Sequence, residues 1–326
     1  MAKKVLVTGA SGFLGFHISK QLLQANYEVV TLIREKSDTR LLKNLNCKII
    51  RGSLSSTKDI GKAIKGCDFV IHAAAKTSQD SSDFEDYREA NITSTKLLIE
   101  ASKKEKISRF VFVSSANAFT MGSKANPGKE DSGFMSFLKN SGYAHSKYKA
   151  HQLILEETKE SNFPAIVVAP TFMVGPYDIK PSSGRLMLYL LKNKLVFYPK
   201  GGKSFVAVTA AATACINALK MGETGESYLL SGVNLTYKEY FEKITRFSEE
   251  NHFLIPIPKS LLKPVEGLYR IIPNKKLLLL ITNIQMLFSN NYFSNTKAKK
   301  ELNMPETHID SSIRESIQWF QENNYI

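Results

Sequence analysis

The chain has 326 residues and a formal net charge of +14, from 44 lysines and arginines against 30 aspartates and glutamates. A chain of this length can bury a sizeable core and is expected to form one large domain or two smaller ones. Its 43% hydrophobic and 23% charged residues are ordinary for a soluble protein. The lysines occur as scattered pairs without a long basic block, so we expect no nucleic-acid partner and interpret the charge as solubility and attraction for anionic ligands.

The three cysteines, Cys47, Cys67 and Cys215, are far apart and have neither metal-ligand nor disulfide spacing. We therefore expect a reduced, cytoplasmic protein without a bound metal. The longest apolar stretch, residues 277–288, contains polar side chains and is too short to span a bilayer, so no transmembrane segment is expected.

The N-terminal elements predict a dinucleotide site. An apolar strand over residues 4–8 is followed by a glycine turn over residues 9–15 and an apolar-periodic helix to about residue 25. A strand, a turn and a helix N-terminus present backbone N–H groups and the positive helix end to a pyrophosphate. The spacing Gly-x-x-Gly-x-x-Gly departs from the usual Gly-x-Gly-x-x-Gly, so the strand–turn–helix context carries the assignment, and a glycine turn without a ligand is the alternative. The residues assigned to the cofactor here are Gly9, Gly12, Phe13, Leu14 and Gly15.

The second strand, residues 28–33, ends at Arg34. An acidic residue at this place would hold a ribose 2′-hydroxyl, whereas an arginine suits a 2′-phosphate. We therefore expect NADP in preference to NAD, with Lys36 strengthening the anion site. The alternative is a solvated arginine that pairs with Glu35.

Further strands are expected over residues 48–51 and 68–72, with a helix over residues 58–65 between them. The second of these strands runs into three alanines that leave room for a cofactor at the carboxyl end of the sheet, where open α/β sheets bind ligands. His72 is interpreted as a satisfied strand-end histidine. The residues assigned to the cofactor are Leu54, Ala73, Ala74 and Ala75.

A long helix over residues 83–104 carries Asn91, for which we expect a partner in the loop after the fifth strand. That strand, residues 109–113, ends at Ser115, and a long connection over residues 116–142 is of the kind that is usually functional. A helix from Tyr143 and a sixth strand over residues 164–169 follow. The strand–helix alternation predicts an α/β fold with a doubly wound parallel sheet, a Rossmann fold with right-handed crossovers.

Tyr143 and Lys147 lie one turn apart on the same face of their helix, so an ammonium can favour the ionised phenol. The pattern is weak by itself, because an amphipathic helix with a solvated lysine shows it too.

Ordered motifs along nearly the whole chain make it resemble an extended short-chain dehydrogenase/reductase, the group of nucleotide-sugar epimerases, dihydroflavonol reductases and 3β-hydroxysteroid dehydrogenases. The resemblance implies that Tyr143 is the acid/base, that Lys147 binds the nicotinamide ribose and lowers the tyrosine pKa, and that Ser115 hydrogen-bonds the substrate oxygen. The motifs that carry it are residues 8–15, 72–75, Asn91, 114–115, Tyr143 with Lys147, Pro170 with 175–176, 225–231, 235–240, 297–302 and 319–320. Asn91 and Pro170 are assigned to the cofactor site.

The chain departs from the family pattern at two places. Ser53 stands where many relatives carry an aspartate for the adenine, and Thr209 and Ala210 replace an acidic pair after the aromatic–valine strand. We expect the loss of this acidic pair to affect only the structure of the connection to the substrate domain.

The expected division is a dinucleotide-binding domain over residues 1–170, to which residues 204–231 return, and a smaller, mostly helical substrate domain over residues 171–203 and 232–326. The apolar stretch 254–289 is interpreted as lid packing, or as a lipid-facing wall beside its lysines.

Three functions remain open. The first is an NADP-dependent reductase or alcohol dehydrogenase of a largely apolar carbonyl or alcohol compound. The second is an isomerase that acts on a nucleotide sugar with a tightly held NAD. Lys203 argues against this function, because epimerase relatives often have an arginine at this position. The third is a catalytically silent cofactor-binding protein. A homodimer is left open. The apolar residues expected near the substrate are Phe134, Met135, Phe137, Leu138, Phe172, Met173, Leu186 and Met187.

Overall fold

Strands and helices alternate along the first half of the chain as the apolar runs and glycine punctuation predict. The computed structural model describes residues 2–306 and 308–326. Its strands are β1 (Lys4–Thr8), β2 (Glu28–Ile33), β3 (Lys48–Arg51), β4 (Phe69–His72), β5 (Arg109–Val113), β6 (Ala165–Pro170), β7 (Phe172–Val174), β8 (Leu195–Pro199), β9 (Gly202–Ala207), β10 (Ser227–Leu230), β11 (Val233–Thr236), β12 (Phe253–Ile257) and β13 (Asn290–Asn291).

The α-helices follow the strands on both faces of the main sheet and cover the second half of the chain. They are α1 (Phe13–Gln24), α2 (Thr57–Ile64), α3 (Glu85–Arg88), α4 (Ser94–Lys104), α5 (Gly142–Ser161), α6 (Gly184–Leu191), α7 (Val208–Asn217), α8 (Tyr237–Ser248), α9 (Lys263–Ile271), α10 (Lys275–Phe288), α11 (Thr296–Leu302) and α12 (Ile309–Glu322). Short 3₁₀ turns occur at Leu42–Asn44, Ala116–Ala118, Ser136–Asn140 and Lys259–Leu262.

The main sheet, as far as the structure describes the chain, has seven strands in the order β3-β2-β1-β4-β5-β6-β10, and each neighbouring pair is parallel. The direction of winding reverses between β1 and β4. In an open parallel sheet the ligand crevice lies at such a reversal, beyond the carboxyl ends of the strands. The crevice therefore opens where the glycine turn leaves β1.

Helices cover both faces of this sheet. Successive side chains of each strand point to opposite sides, so every strand contributes buried side chains to both faces. Val5 and Val7 pack with α1 and α7 on one face, and Leu6 packs with α2, α4 and α5 on the other. The doubly wound α/β fold expected from the sequence is confirmed.

The helix expected over residues 83–104 is interrupted. α3 and α4 are joined by one π-helical turn, Glu89–Thr93, which contains Asn91. Single π-helical turns of this kind frequently occur at functional sites.

The second part of the chain has small sheets as well as helices. Within the described residues, β7, β9, β11 and β13 form one sheet, and β8 and β12 form another. Residue 204, where we expected the chain to rejoin the main sheet, lies on β9 in the second sheet, because β9 pairs with β7. The chain rejoins the first part with α7, which packs on α1, and with β10, which pairs with β6.

None of the described helices combines the length and the apolar run that a membrane span requires. The apolar stretch 277–288 lies in α10, which has 14 residues.

Candidate active site

Two glycines of the turn bring α1 against the ends of β1 and β4. Gly9 has a φ of +75°, and a Cβ there would lie 2.7 Å from the backbone nitrogen of Ala74 and 2.8 Å from the carbonyl carbon of Ala73. A Cβ on Gly15 would lie 2.1 Å from the carbonyl oxygen of Gly9. Since backbone cannot yield as a flexible side chain does, both positions require glycine.

The N-terminus of α1 is left open for a ligand. Gly12 is the N-cap residue and provides no side-chain cap, and the first turn contains no acidic residue. The first N–H groups of a helix have no intrahelical acceptor, and the positive end of the helix dipole adds to their attraction for an anion. Phe13 is half-buried at this end, whereas the side chain of Leu14 is in the core, so only the backbone N–H of Leu14 is available to a ligand. The uncapped helix end and the glycine cradle fit a dinucleotide pyrophosphate.

Five other residues assigned to the cofactor lie at or just after the carboxyl ends of strands in the main sheet. Ala73, Ala74 and Ala75 are half-buried directly after β4. Pro170 is buried at the end of β6, next to Leu230 of β10. Leu54 is half-buried after β3 and packs into the core under α2 and α4.

Arg34 is exposed at the end of β2. Among the described residues it makes no ion pair with Glu35, and its exposure fits a solvated arginine as well as a contact with a 2′-phosphate. The backbone carbonyl of Glu35 instead accepts a hydrogen bond from the guanidinium of Arg51, at the end of the neighbouring strand β3. Arg51 lies beside Ile33 in the register of this parallel pair.

Ser115 and Tyr143 meet at the carboxyl end of β5. Ser115 follows that strand and caps a 3₁₀ turn, where its hydroxyl accepts a hydrogen bond of 3.3 Å from the backbone N–H of Asn117. Burial raises the pKa of Tyr143, and a hydrogen bond with the Ser115 hydroxyl acts in the opposite direction. The two hydroxyl groups therefore form a pair that a substrate oxygen can join.

Tyr143 is held at this place by the start of α5. The side chain of Ser141 caps the helix by accepting from the backbone N–H of Ala144 at 3.3 Å. A Cβ on Gly142 would lie 2.5 Å from the carbonyl oxygen of Asp83, so the glycine allows the helix to begin in contact with the preceding loop.

Lys147 is buried one helical turn after Tyr143, with 3% of its surface exposed. Its ammonium donates a hydrogen bond of 2.6 Å to the carbonyl of Val113 and lies 4.6 Å from the ring centre of Phe112. Burial lowers the pKa of the amine to about 7. Among the described residues the hydrogen-bond acceptor of the ammonium is this strand carbonyl. The family resemblance implied that Lys147 lowers the pKa of Tyr143, whereas burial raises it.

Asn91 connects the crevice to α5, and the expected partner was wrong. Its side-chain oxygen accepts from the backbone N–H of Lys76 at 2.7 Å, and its amide nitrogen donates to the Lys76 carbonyl at 3.2 Å and to Ser146 at 2.8 Å. The partners are thus the loop after β4 and α5, because the π-helical turn packs along α5. Asn91 fixes the segment that follows the three alanines relative to the helix of Tyr143.

His72 is a structural histidine, as expected. Its ring nitrogens lie 2.7 Å from the hydroxyl of Thr8 and 3.0 Å from that of Thr95, so both are satisfied. Burial lowers its pKa to about 3, which keeps the ring neutral.

The apolar residues expected near the substrate fall into two groups. Leu138 and Met187 are fully buried in separate hydrophobic clusters and are core residues. Phe134 stacks on Tyr148 of α5 with the ring centres 4.3 Å apart, and Phe172 lies half-buried just beyond Pro170. Lys203 extends its ammonium to 5.5 Å from the Phe172 ring centre. The long connection is thus packed onto the helix that carries Tyr143.

A doubly wound sheet with an open, glycine-flanked helix end beside a serine, a tyrosine and a buried lysine defines an enzyme that binds a nicotinamide dinucleotide. The model of the NAD dependent epimerase/dehydratase family matches residues 5–231, and the chain belongs to this family. The resemblance to an extended short-chain dehydrogenase/reductase is confirmed. The reductase and dehydrogenase names of its curated relatives place the enzyme among the oxidoreductases.

Two curated relatives illustrate this similarity. The sterol-4-alpha-carboxylate 3-dehydrogenase (decarboxylating) of Dictyostelium discoideum is 28% identical, over 94% of this chain and 96% of the relative. The cinnamoyl-CoA reductase 1 of Petunia hybrida is 26% identical, over 99% of this chain and 93% of the relative. Among solved structures, that of gox2253 superposes with a TM-score of 0.91 at 29% identity and covers 99% of both chains.

Proposed function

We propose that the protein is an NADP-dependent reductase or alcohol dehydrogenase that acts on a carbonyl or secondary alcohol of a largely apolar small molecule. The observation that carries the proposal is that Ser115, directly after β5, and Tyr143, at the start of α5, lie together at the carboxyl end of β5, with Lys147 buried and bonded to the Val113 carbonyl of the same strand. The pair provides two hydroxyl groups for one substrate oxygen, which is what proton transfer during carbonyl reduction requires.

The cofactor is proposed to lie along the crevice at the ends of the strands. Backbone N–H groups from Phe13 to Gly15 would hold its pyrophosphate, beside Gly12, whose own N–H donates to the Gly9 carbonyl, and Arg34 would hold its 2′-phosphate. The other proposed contacts are Gly9, Leu54, Ala73, Ala74, Ala75, Asn91 and Pro170. When bound, the cofactor donates or accepts a hydride at its nicotinamide ring.

Ser115 and Tyr143 would then stabilise the negative charge that develops on the substrate oxygen. Ser115 donates a hydrogen bond to this oxygen, and Tyr143 donates a second one and passes its proton to the oxygen during reduction. Burial raises the pKa of Tyr143, so the phenol keeps its proton until the more basic alkoxide forms. A negative charge on the phenol one turn away favours the protonated form of Lys147, which in turn stabilises the phenolate.

The substrate is proposed to bind between this pair and the second part of the chain, residues 171–203 and 232–326. Phe172, just after β6, and Phe134, stacked on Tyr148 of α5, offer half-buried aromatic surface. Apolar walls around a few polar groups suit an apolar small molecule. The relative named for a sterol carboxylate supports the same class of substrate.

A turnover screen tests this function. The purified enzyme is incubated with NADPH and aromatic, steroid-like and aliphatic ketones or aldehydes, in parallel with UDP- and dTDP-sugars. We expect oxidation of NADPH with at least one of the apolar carbonyl compounds. Epimerisation of a nucleotide sugar without net cofactor oxidation, together with no turnover of any ketone or aldehyde, would instead establish the isomerase.

The exposed guanidinium of Arg34 leads to a prediction on cofactor preference. A charge-assisted hydrogen bond to the 2′-phosphate contributes about 1.5–3 kcal/mol. The affinity for NADPH should therefore be at least about tenfold higher than the affinity for NADH. Arg34→Ala should remove most of this difference and leave the affinity for NADH unchanged. Titration of both cofactors, followed by intrinsic fluorescence, measures the difference in affinity. Equal affinities in the wild type would mean that Arg34 makes no contact with the phosphate.

A further inference from the structure

The outer surface of α9 and α10 is apolar and exposed. The α9–α10 face is defined by five side chains with exposed fractions of 49% for Leu268, 78% for Ile271, 57% for Ile272, 47% for Leu280 and 41% for Leu287. No described side chain of α9 is buried, so this helix contributes nothing to the core of the chain. Large aliphatic side chains are rarely concentrated on an exposed surface unless the surface has a partner.

The spacing of these residues places them in lines. Leu268, Ile271 and Ile272 are three and four residues apart, which is one stripe of a helix, and Leu280 and Leu287 are seven apart on the outward side of α10. The opposite side of α10 buries Leu279, Ile281 and Met286. The helix is therefore anchored to the protein by one side and presents apolar surface on the other.

Positive charge surrounds the face. Residues 259–288 contain one acidic residue, Glu266, and five basic residues, which gives a net charge of +4. Lys275 pairs with Asp83 at 2.6 Å, and within the described residues the other four basic side chains make no ion pair. These four are Lys259, Lys263, Arg270 and Lys276.

We propose that the α9–α10 face docks the protein onto an anionic phospholipid bilayer. Aliphatic side chains can enter the boundary between head groups and acyl chains while the lysine stems extend so that their ammonium groups stay among the anionic head groups. A second copy of the chain fits poorly, because it would bring its own four unpaired basic side chains against those of the first. A nucleic acid offers the charge but no apolar interior for the isoleucines.

The position of the face relative to the candidate active site gives the docking a consequence. Met286, on the inner side of α10, packs in one cluster with Ala144 of α5, next to Tyr143. The bilayer would thus lie about one helix diameter, ~10 Å, from the helix of the site, and an apolar ligand could enter from the lipid. The docking itself does not depend on the proposed activity.

Vesicle flotation tests the proposal with the full chain. The protein is mixed with vesicles of phosphatidylcholine alone or of phosphatidylcholine with phosphatidylglycerol. We expect it to float with the anionic vesicles, to bind the neutral ones much less, and to be released by salt. An Ile271→Glu/Ile272→Glu variant should lower the partition coefficient at least about tenfold, since burial of a single isoleucine contributes that factor or more.

Two further variants separate docking from other effects. Phe253→Glu changes an aromatic side chain that is 70% exposed on β12, outside the face, and should float like the wild type. Lys259→Glu/Lys276→Glu should reduce binding to anionic vesicles and leave binding to neutral ones unchanged. Thermal melting checks that each variant is folded. A wild type that stays off anionic vesicles, that binds neutral vesicles equally well, or that forms a dimer broken by Ile271→Glu/Ile272→Glu would overturn the proposal.

Discussion

Tyr143→Phe is expected to lower kcat by about 10²–10⁴-fold, the contribution usual for a general acid, while the dissociation constant of the cofactor changes little. The substitution removes the hydroxyl that pairs with Ser115 and leaves the ring, so the packing around the start of α5 is preserved. Lys147→Ala should reduce both kcat and cofactor affinity, because a buried amine that hydrogen-bonds Val113 is lost with its packing. Single-turnover kinetics and cofactor titration separate these effects.

Tyr148→Phe is the matched control for this experiment. Tyr148 lies on the same helix, is half-buried, and stacks on Phe134 through its ring, which phenylalanine keeps. Its turnover should remain within about threefold of the wild type, since no general acid is removed. A Tyr143→Phe enzyme within tenfold of the wild type would remove Tyr143 from the role of acid.

Gly9→Ala is expected to abolish detectable dinucleotide binding and to lower the free energy of unfolding by about 2 kcal/mol or more. The left-handed φ of +75° alone costs an L-residue roughly 1–2 kcal/mol, and the new Cβ must also displace the backbone of Ala73 and Ala74, which it would meet at under 3 Å. Moving that backbone displaces the edge at which the cofactor is proposed to lie. Urea denaturation and cofactor titration measure the two effects.

Gly61→Ala provides the control, because Gly61 lies within α2 and a Cβ there would meet nothing within 4 Å. Replacing an unhindered helical glycine should stabilise the protein by about 0.5–1 kcal/mol and leave cofactor binding unchanged. If Gly9→Ala behaved like Gly61→Ala, the close approach of the turn to β4 would have no role in binding.

The sequence predicted the main sheet well because its strands are short apolar runs bounded by glycine or polar residues. β1, β2, β3 and β5 have the bounds expected from the residues alone. The expected helix over residues 83–104 was less accurate, since the π-helical turn follows from packing against α5 and has no signal in the helical period.

Contacts between distant segments were the least predictable part of the site. The sequence shows an asparagine that needs partners, but the choice between the loops after β4 and β5 depends on how α5 packs. The acceptor for Lys147 is a backbone carbonyl of β5, which side-chain spacing cannot reveal. In the second part of the chain, β13 has only two residues and pairs with β9 about 90 positions away, too short a strand to leave a periodic pattern.

The reversal of strand order between β1 and β4 separates the residues of the proposed site into two groups, one on each half of the sheet. Arg34 directly follows β2 on one side of the reversal, whereas Ser115 and the Val113 carbonyl that holds Lys147 lie after and at the end of β5 on the other. The polypeptide after Pro170 forms a third, separate surface. In the proposed site, cofactor preference, proton transfer and ligand choice would thus rest on residues in separate segments, so that each could diverge during evolution while the others are retained. Such an arrangement explains how one scaffold can serve a reductase in one lineage and a dehydrogenase of a different compound in another.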